Sequence, residues 1–131
     1  MINPQALLGL NFFPQTENDR WQVQWEISPQ LPYFEGHFPG FPILPAFATL
    51  DVTLEAVRLL DPNAALKKLH SAKFRKPIAP SQTVLILLQK QASPKPGHSI
   101  WKVQWKSQPF GSNTEPELLA DLGFELSSPA S

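Results

Sequence analysis

The residues best suited to chemistry in this chain are one histidine, one carboxylate and the backbone that joins them. His37 lies in Tyr33-Phe34-Glu35-Gly36-His37-Phe38-Pro39-Gly40-Phe41-Pro42-Ile43-Leu44-Pro45, a stretch of aromatics, glycines and prolines. Such a segment is stiff and apolar and can hold an imidazole in a partly dry site, where a neutral ring serves as a general base near neutral pH. The plainer alternative is a loop histidine bonded to a backbone carbonyl. Asp51 follows in a segment that is otherwise largely apolar. Glu55, four residues on, carries the same charge, and Arg58 stands three residues beyond Glu55 and can neutralise it. Asp51 is then the carboxylate left over, unless Asp51, Glu55 and Arg58 form a solvated stripe. With Pro45 at the first helical position, Leu44 is a poor cap, so the N–H groups of Ala46 and Phe47 lack a local side-chain acceptor. Turned into a cavity, they would hold an oxygen that gains negative charge; water or a loop carbonyl would satisfy them equally well.

Other chemistries are not signalled. The chain has no cysteine, which removes disulfides, thiolate metal sites and a catalytic thiol together. His37, His70 and His98 are too far apart in sequence for a local zinc motif. There is no nucleophile elbow, phosphate-binding glycine loop or dinucleotide fingerprint. The 11 basic and 11 acidic residues cancel, so no global field draws the chain to nucleic acid or a lipid surface. Ala6 to Leu10 is too short an apolar run for a secretion signal or a membrane span, and a cytoplasmic location is expected.

The elements that must position these groups follow from periodicity. Asn3 to Leu10 is expected to form a short helix, within an N-terminal extension over 1–15. Trp21 to Ile27 alternates apolar and polar residues, as a strand with one buried face does. Four prolines between Pro32 and Pro45 forbid a regular element. Ala46 to Leu60 is the strongest helix, apolar over most of its circumference, and ends before Asp61-Pro62. Strands are expected over Leu69 to Lys76, Thr83 to Gln91, Ser99 to Ser107 and Glu117 to Leu126, with Ser127 to Ser131 an unordered tail. The pentapeptides Trp21 to Trp25 and Trp101 to Trp105 differ at one position and predict two strands with similar burial. A strand, a buried helix and a run of antiparallel strands predict one α+β domain over 1–131, with a curved sheet around the helix.

Taken together, Gly36-His37-Phe38-Pro39-Gly40 with Pro42-Ile43-Leu44-Pro45, and Lys73-Phe74-Arg75-Lys76-Pro77 further on, resemble the two signature segments of the hot-dog-fold 3-hydroxyacyl-acyl-carrier-protein dehydratases. The resemblance spans roughly residues 20 to 126. It implies that Asp51, 14 residues after His37, matches the family's helix carboxylate, in its aspartate-bearing branch. It further implies a homodimer with active sites at the subunit interface, His37 from one chain facing Asp51 of the other. The N–H groups of Ala46 and Gly40 would bind the thioester oxygen, and Phe38, Phe41, Phe47 and Leu50 would line an acyl tunnel. Lys73, Arg75 and Lys76 would dock an acyl carrier protein, with Lys67 and Lys68 nearby. The implied reaction dehydrates a 3-hydroxyacyl thioester to the trans-2-enoyl product in fatty acid or related lipid or polyene biosynthesis. No metal or redox cofactor is expected, the substrate being carried on phosphopantetheine. The alternatives are a hot-dog thioesterase and a non-catalytic carrier-binding partner subunit. Two positions depart from the pattern: Ala46 stands where glycine is usual, and Ser81-Gln82 where Gly-Asp is usual, the latter expected to be neutral.

Overall fold

The computed structural model describes residues 9–34, 42–107 and 115–128. Within them lie strands β1 (Leu10–Phe12) and β2 (Arg20–Glu26), a 3-10 turn (Pro32–Phe34), helix α1 (Ala46–Leu60), and strands β3 (Ala65–Phe74), β4 (Thr83–Ala92), β5 (His98–Ser107) and β6 (Leu118–Ser127). The strands form one antiparallel sheet in the order β1-β2-β4-β5-β6-β3.

Alternation puts one face of every long inner strand into the core. Val23 and Trp25, then Val84, Ile86 and Leu88, then Trp101, Val103 and Trp105, then Leu122, Phe124 and Leu126 join Ala48, Val52, Ala56 and Val57 of α1 in one buried cluster. Each of the larger side chains contributes roughly 1.5–3 kcal/mol by leaving water. The two tryptophan strands lie on either side of β4. Trp21 stacks on Trp101 at 5.4 Å and Trp25 meets Trp105 edge-on at 5.8 Å, so the repeated pattern seats two ring pairs across the middle strand. Trp21, at the outer end, is only half-buried.

The helix occupies the residues expected of it, with one shift at its start. Pro45 is the N-cap, not the first helical residue, and offers no side-chain cap. Its carbonyl accepts from the N–H groups of Ala48 (3.0 Å) and Thr49 (3.3 Å). The side buried on the sheet includes two hydroxyls. Trp105 Nε1 donates to Thr53 Oγ1 at 2.9 Å, and Thr53 Oγ1 donates to the Thr49 carbonyl at 2.7 Å. Both threonines are buried, and this chain satisfies the indole N–H and the Thr53 hydroxyl without water.

The two chain ends differ from expectation. Leu10, expected to close a short helix, opens β1 instead, and Asn3 to Leu8 of that expected helix lie outside the described residues. At the other end, Ser127 closes β6 and Ser128 is held in place, its N–H donating to the Gly97 carbonyl at 2.7 Å and its hydroxyl to Asp61. The tail expected from Ser127 therefore starts later, and residues 129–131 lie outside the described part.

β3 begins at Ala65, four residues before the expected Leu69, and two bulges explain why. Leu66, Leu69, Ala72 and Phe74 pair with Leu126, Phe124, Leu122 and Ala120 of β6, all core-facing residues. Register shifts after Leu66 and after Leu69 insert Lys67 and His70 as extra residues, so apolar positions three apart still reach the same face.

The turn before β4 carries the second departure from the family pattern. Ser81 has φ of 66°, in the left-handed region that favours glycine. Gln82 takes up part of the turn's bonding, its side-chain oxygen accepting from the Ala79 N–H at 3.2 Å. The exchange is thus not neutral at Ser81. Ser81→Gly is expected to raise stability by about 1 kcal/mol, read as a higher urea midpoint at unchanged slope.

On the outward side of the sheet, Glu125 gathers two histidines. His98 Nδ1 lies 2.5 Å from one carboxylate oxygen and His70 Nε2 lies 3.8 Å from the other. The His98 hydrogen bond holds the Glu125 carboxyl below its usual range. A carboxyl lowered in the folded state stabilises above its unfolded pKa, about 4.3, and that contribution is lost as pH falls through the folded value. Glu125→Gln is therefore expected to flatten the fall of the melting temperature between about pH 5 and pH 3. Equal slopes for the two proteins would remove this assignment.

Candidate active site

Two chain segments meet where α1 begins. The Leu44 N–H donates to the Ile78 carbonyl at 2.7 Å, and both side chains are buried. This bond ties the proline-rich approach to the helix to the segment that follows Lys73-Phe74-Arg75-Lys76-Pro77. Sequence spacing could not show that contact, because 34 residues separate its ends.

The start of α1 is open chemically as well as sterically. Ala46 is exposed, and its N–H has no hydrogen-bond partner among the described residues. Phe47 is 55% exposed and packs edge-on against the Tyr33 ring at 5.8 Å. A covering group would add the burial free energy that this ring now forgoes.

Asp51 sits one turn further along the same side. Phe47, Asp51, Glu55 and Arg58 follow each other at helical spacings of four, four and three, while Thr49, Val52, Thr53 and Ala56 are buried against the sheet. Asp51 is half-buried and makes no hydrogen bond or ion pair among the described residues. Glu55 is different. Arg58 Nη1 lies 2.9 Å from its carboxylate, and Arg58 Nε reaches the Ala64 carbonyl at 3.4 Å. The two helix carboxylates are therefore distinguished by their surroundings: one is neutralised, the other keeps its hydrogen-bonding capacity unused. Leu50, half-buried, flanks Asp51 on the helix.

The remaining expected site residues divide in two. His37, Phe38, Gly40 and Phe41 lie outside the described residues. Of the basic group, Arg75 is paired with Asp121 at 3.1 Å and Lys76 with Glu117 at 2.7 Å, which leaves Lys73 without a carboxylate partner among the described residues. The cluster is therefore less free than a row of cations in the sequence suggests. The buried Thr49–Thr53–Trp105 chain is an addition to the expected set. Threonines spaced by four, beside a strand of inward tryptophans, are its only trace in the sequence.

Around this site the chain matches a known family over residues 14–112, the ApeI-like family described as ApeI dehydratase. The chain belongs to the ApeI-like dehydratases. A curated relative, the 3-hydroxyacyl-(acyl-carrier-protein) dehydratase FabZ of Jannaschia sp. (strain CCS1), is 29% identical over 103 residues, 71% of this chain and 60% of that protein. The FabZ of Myxococcus xanthus (strain DK1622) is 32% identical over 68 residues, 44% of each chain. The chain thus spans about half the length of the curated relatives it matches. Among solved structures, the dehydratase heterocomplex ApeI:P from Xenorhabdus doucetiae superposes with a TM-score of 0.69 at 21% identity, covering 87% of this chain and 92% of that one. The E. coli PaaI protein superposes with a TM-score of 0.71 at 12% identity, covering 98% and 87%. These likenesses establish the hot-dog fold, an antiparallel sheet with one central helix. Among the described residues, no helix of this ApeI-like chain is long and apolar enough to cross a membrane.

Proposed function

We propose that this ApeI-like protein dehydrates 3-hydroxyacyl chains carried on acyl carrier protein to trans-2-enoyl thioesters. The observation that carries the reading is Asp51: a half-buried carboxylate without a partner among the described residues, about one and a half turns from an uncapped helix start. In this reading His37 removes the α-proton of the thioester, and negative charge moves onto the thioester oxygen. The N–H groups of Ala46 and Gly40 stabilise that oxygen; one such donor is worth about 3 kcal/mol of barrier. Asp51, directly or through water, orients the β-hydroxyl and passes it a proton. The C–O bond then breaks, water leaves and the Cα–Cβ double bond forms. None of these steps calls on a metal or redox cofactor.

A second subunit would complete the site. Besides the open side of α1, the edge strand β3 leaves Leu66, Leu69 and Phe74 at 37%, 43% and 45% exposure, an apolar stripe on the core side of the sheet. An edge-to-edge homodimer along β3 covers this stripe and continues the sheet. The tunnel for the acyl chain is then bounded by Phe38, Phe41, Phe47 and Leu50. Lys73, with Arg75 and Lys76, supplies positive charge for the acidic carrier. Carrier affinity is expected to weaken as salt rises from about 50 to 500 mM, and an unchanged affinity would remove this role.

Product analysis with purified protein and 3-hydroxyacyl carrier substrates of graded chain length tests the reaction. Enoyl thioester supports dehydration, and free acid supports hydrolysis. Ala46 favours one further reading, a carrier-binding subunit without activity of its own, because its methyl replaces hydrogen beside the thioester position. Dimerisation and carrier binding with no product would support that reading over ours.

A further inference from the structure

Asp51 makes no hydrogen bond or ion pair of its own among the described residues, so the helix turn it stands on must aim it. That turn is gripped from behind. At about 100° per residue, Thr49 and Thr53 lie about 160° around α1 from Asp51, one on each side of it along the axis. Both threonines are buried, whereas Asp51 is half-buried. Thr53 Oγ1 donates to the Thr49 carbonyl at 2.7 Å, a second bond on an acceptor that an α-helix already gives to the Thr53 N–H. The same hydroxyl accepts from Trp105 Nε1 at 2.9 Å. The indole is a firm anchor. It is fully buried, meets Trp25 edge-on, and stands on a strand paired with β4 on one side and β6 on the other.

Ala48, Val52, Ala56 and Val57 hold the helix down through apolar contacts, which are non-directional and set its rotation only loosely. An N–H···O bond is directional and weakens steeply once its angle falls below about 120°. The indole–hydroxyl–carbonyl chain therefore acts as a pin. We infer that Thr53, held by Trp105, is a positioning residue for Asp51: the pin sets the rotation of α1 from its buried side and so aims the carboxylate on the opposite side at the β-hydroxyl. The inference rests on the proposed dehydration. A carboxylate about 5–6 Å from the helix axis moves about 1 Å when the helix turns by about 10°. The Ala46 N–H, near the backbone radius of about 2.3 Å, moves about 0.4 Å in the same turn. A misplacement of about 1 Å lowers a rate by about 10²-fold. Loss of the pin thus strikes proton delivery by Asp51 and largely spares thioester binding.

Thr53→Val is nearly isosteric and removes both bonds of the hydroxyl. It is expected to lower kcat for a 3-hydroxyacyl carrier substrate about 10–100-fold with KM within about twofold, at a temperature where circular dichroism shows it folded. Thr53→Ser keeps the hydroxyl and should hold kcat within about threefold of wild type. Trp105→Phe removes the donor and keeps the Thr53–Thr49 bond; it is expected to reproduce the kcat loss, and it decides the matter if Thr53→Val does not fold. Val23→Ala destabilises the same core from β2, two strands from Trp105, and should leave kcat unchanged. Wild-type kcat in Thr53→Val or Trp105→Phe, a loss that Thr53→Ser shares, or an equal loss in Val23→Ala overturns the inference, and dehydration by the wild type then leaves the proposed function standing. The absence of cysteine from the chain permits a readout without turnover. A spin label on Asp51→Cys is expected to show one motional component, to which Thr53→Val adds a second and Thr53→Ser does not. An unchanged spectrum in Thr53→Val overturns the inference. If the label responds as expected but the wild type forms no enoyl product, the proposed function fails while the pin on the helix remains.

Discussion

Asp51→Asn is expected to lower dehydration of a 3-hydroxyacyl carrier substrate by about 10²–10⁴-fold while leaving a folded protein. The change is nearly isosteric and removes the proton that the leaving hydroxyl needs. Asp51 makes no hydrogen bond or ion pair with the rest of the described chain, so little native structure depends on its charge. Circular dichroism and melting temperature should therefore barely move while turnover collapses. His37→Ala is expected to fall by a similar factor, since without the imidazole no base removes the α-proton. Glu55→Gln is the control on the same helix. It breaks the 2.9 Å pair with Arg58, a partly exposed contact, and should cost at most about 1 kcal/mol of stability and little activity. Loss of activity in Glu55→Gln with retention in Asp51→Asn would reverse the choice of carboxylate.

Trp105→Ala is expected to cost about 3–5 kcal/mol of stability, a large part of the total for a domain of this size. The indole is fully buried on β5, packs edge-on against Trp25, and bonds through Nε1 to Thr53 of the helix. Truncation leaves a cavity between sheet and helix and strips the Thr53 oxygen of its donor. Trp105→Phe separates the two effects. It keeps most of the ring volume and removes the N–H, so about 1–3 kcal/mol should be lost. Chemical denaturation of the three proteins reads both values. If Trp105→Phe matched wild type, the indole–threonine bond would not be what holds the helix against the sheet.

The placement of α1 is legible in the sequence because its stop signals are local. Prolines before Ala46 and the Asp61-Pro62 pair after Leu60 bound the helix, and these act through steric rules that need no tertiary contact. The inner strands are legible because their alternation is unbroken, as in Trp101, Val103 and Trp105. β3 is legible only in its second half. Its apolar residues recur at intervals of three until the bulges at Lys67 and His70 are known, and a bulge is chosen by the partner strand. β1 is not legible at all, since three residues, Leu10 to Phe12, carry too short a pattern to distinguish a strand from the end of a helix.

For the candidate site the division is similar. The order of residue types along the chain determined that a histidine-bearing segment precedes a helix with an aspartate, and that Arg58 stands where it can neutralise Glu55. Only the tertiary structure decided which side of that helix is open. Rotation about the helix axis is set by what the sheet accepts, and Trp105 bonds Thr53, which turns Thr49 inward and leaves Phe47 and Asp51 on the less covered side. Strand order belongs to the same category: β3 became an edge because β6 pairs with both β5 and β3, a choice made by long-range hydrogen bonding and core packing that no local pattern encodes.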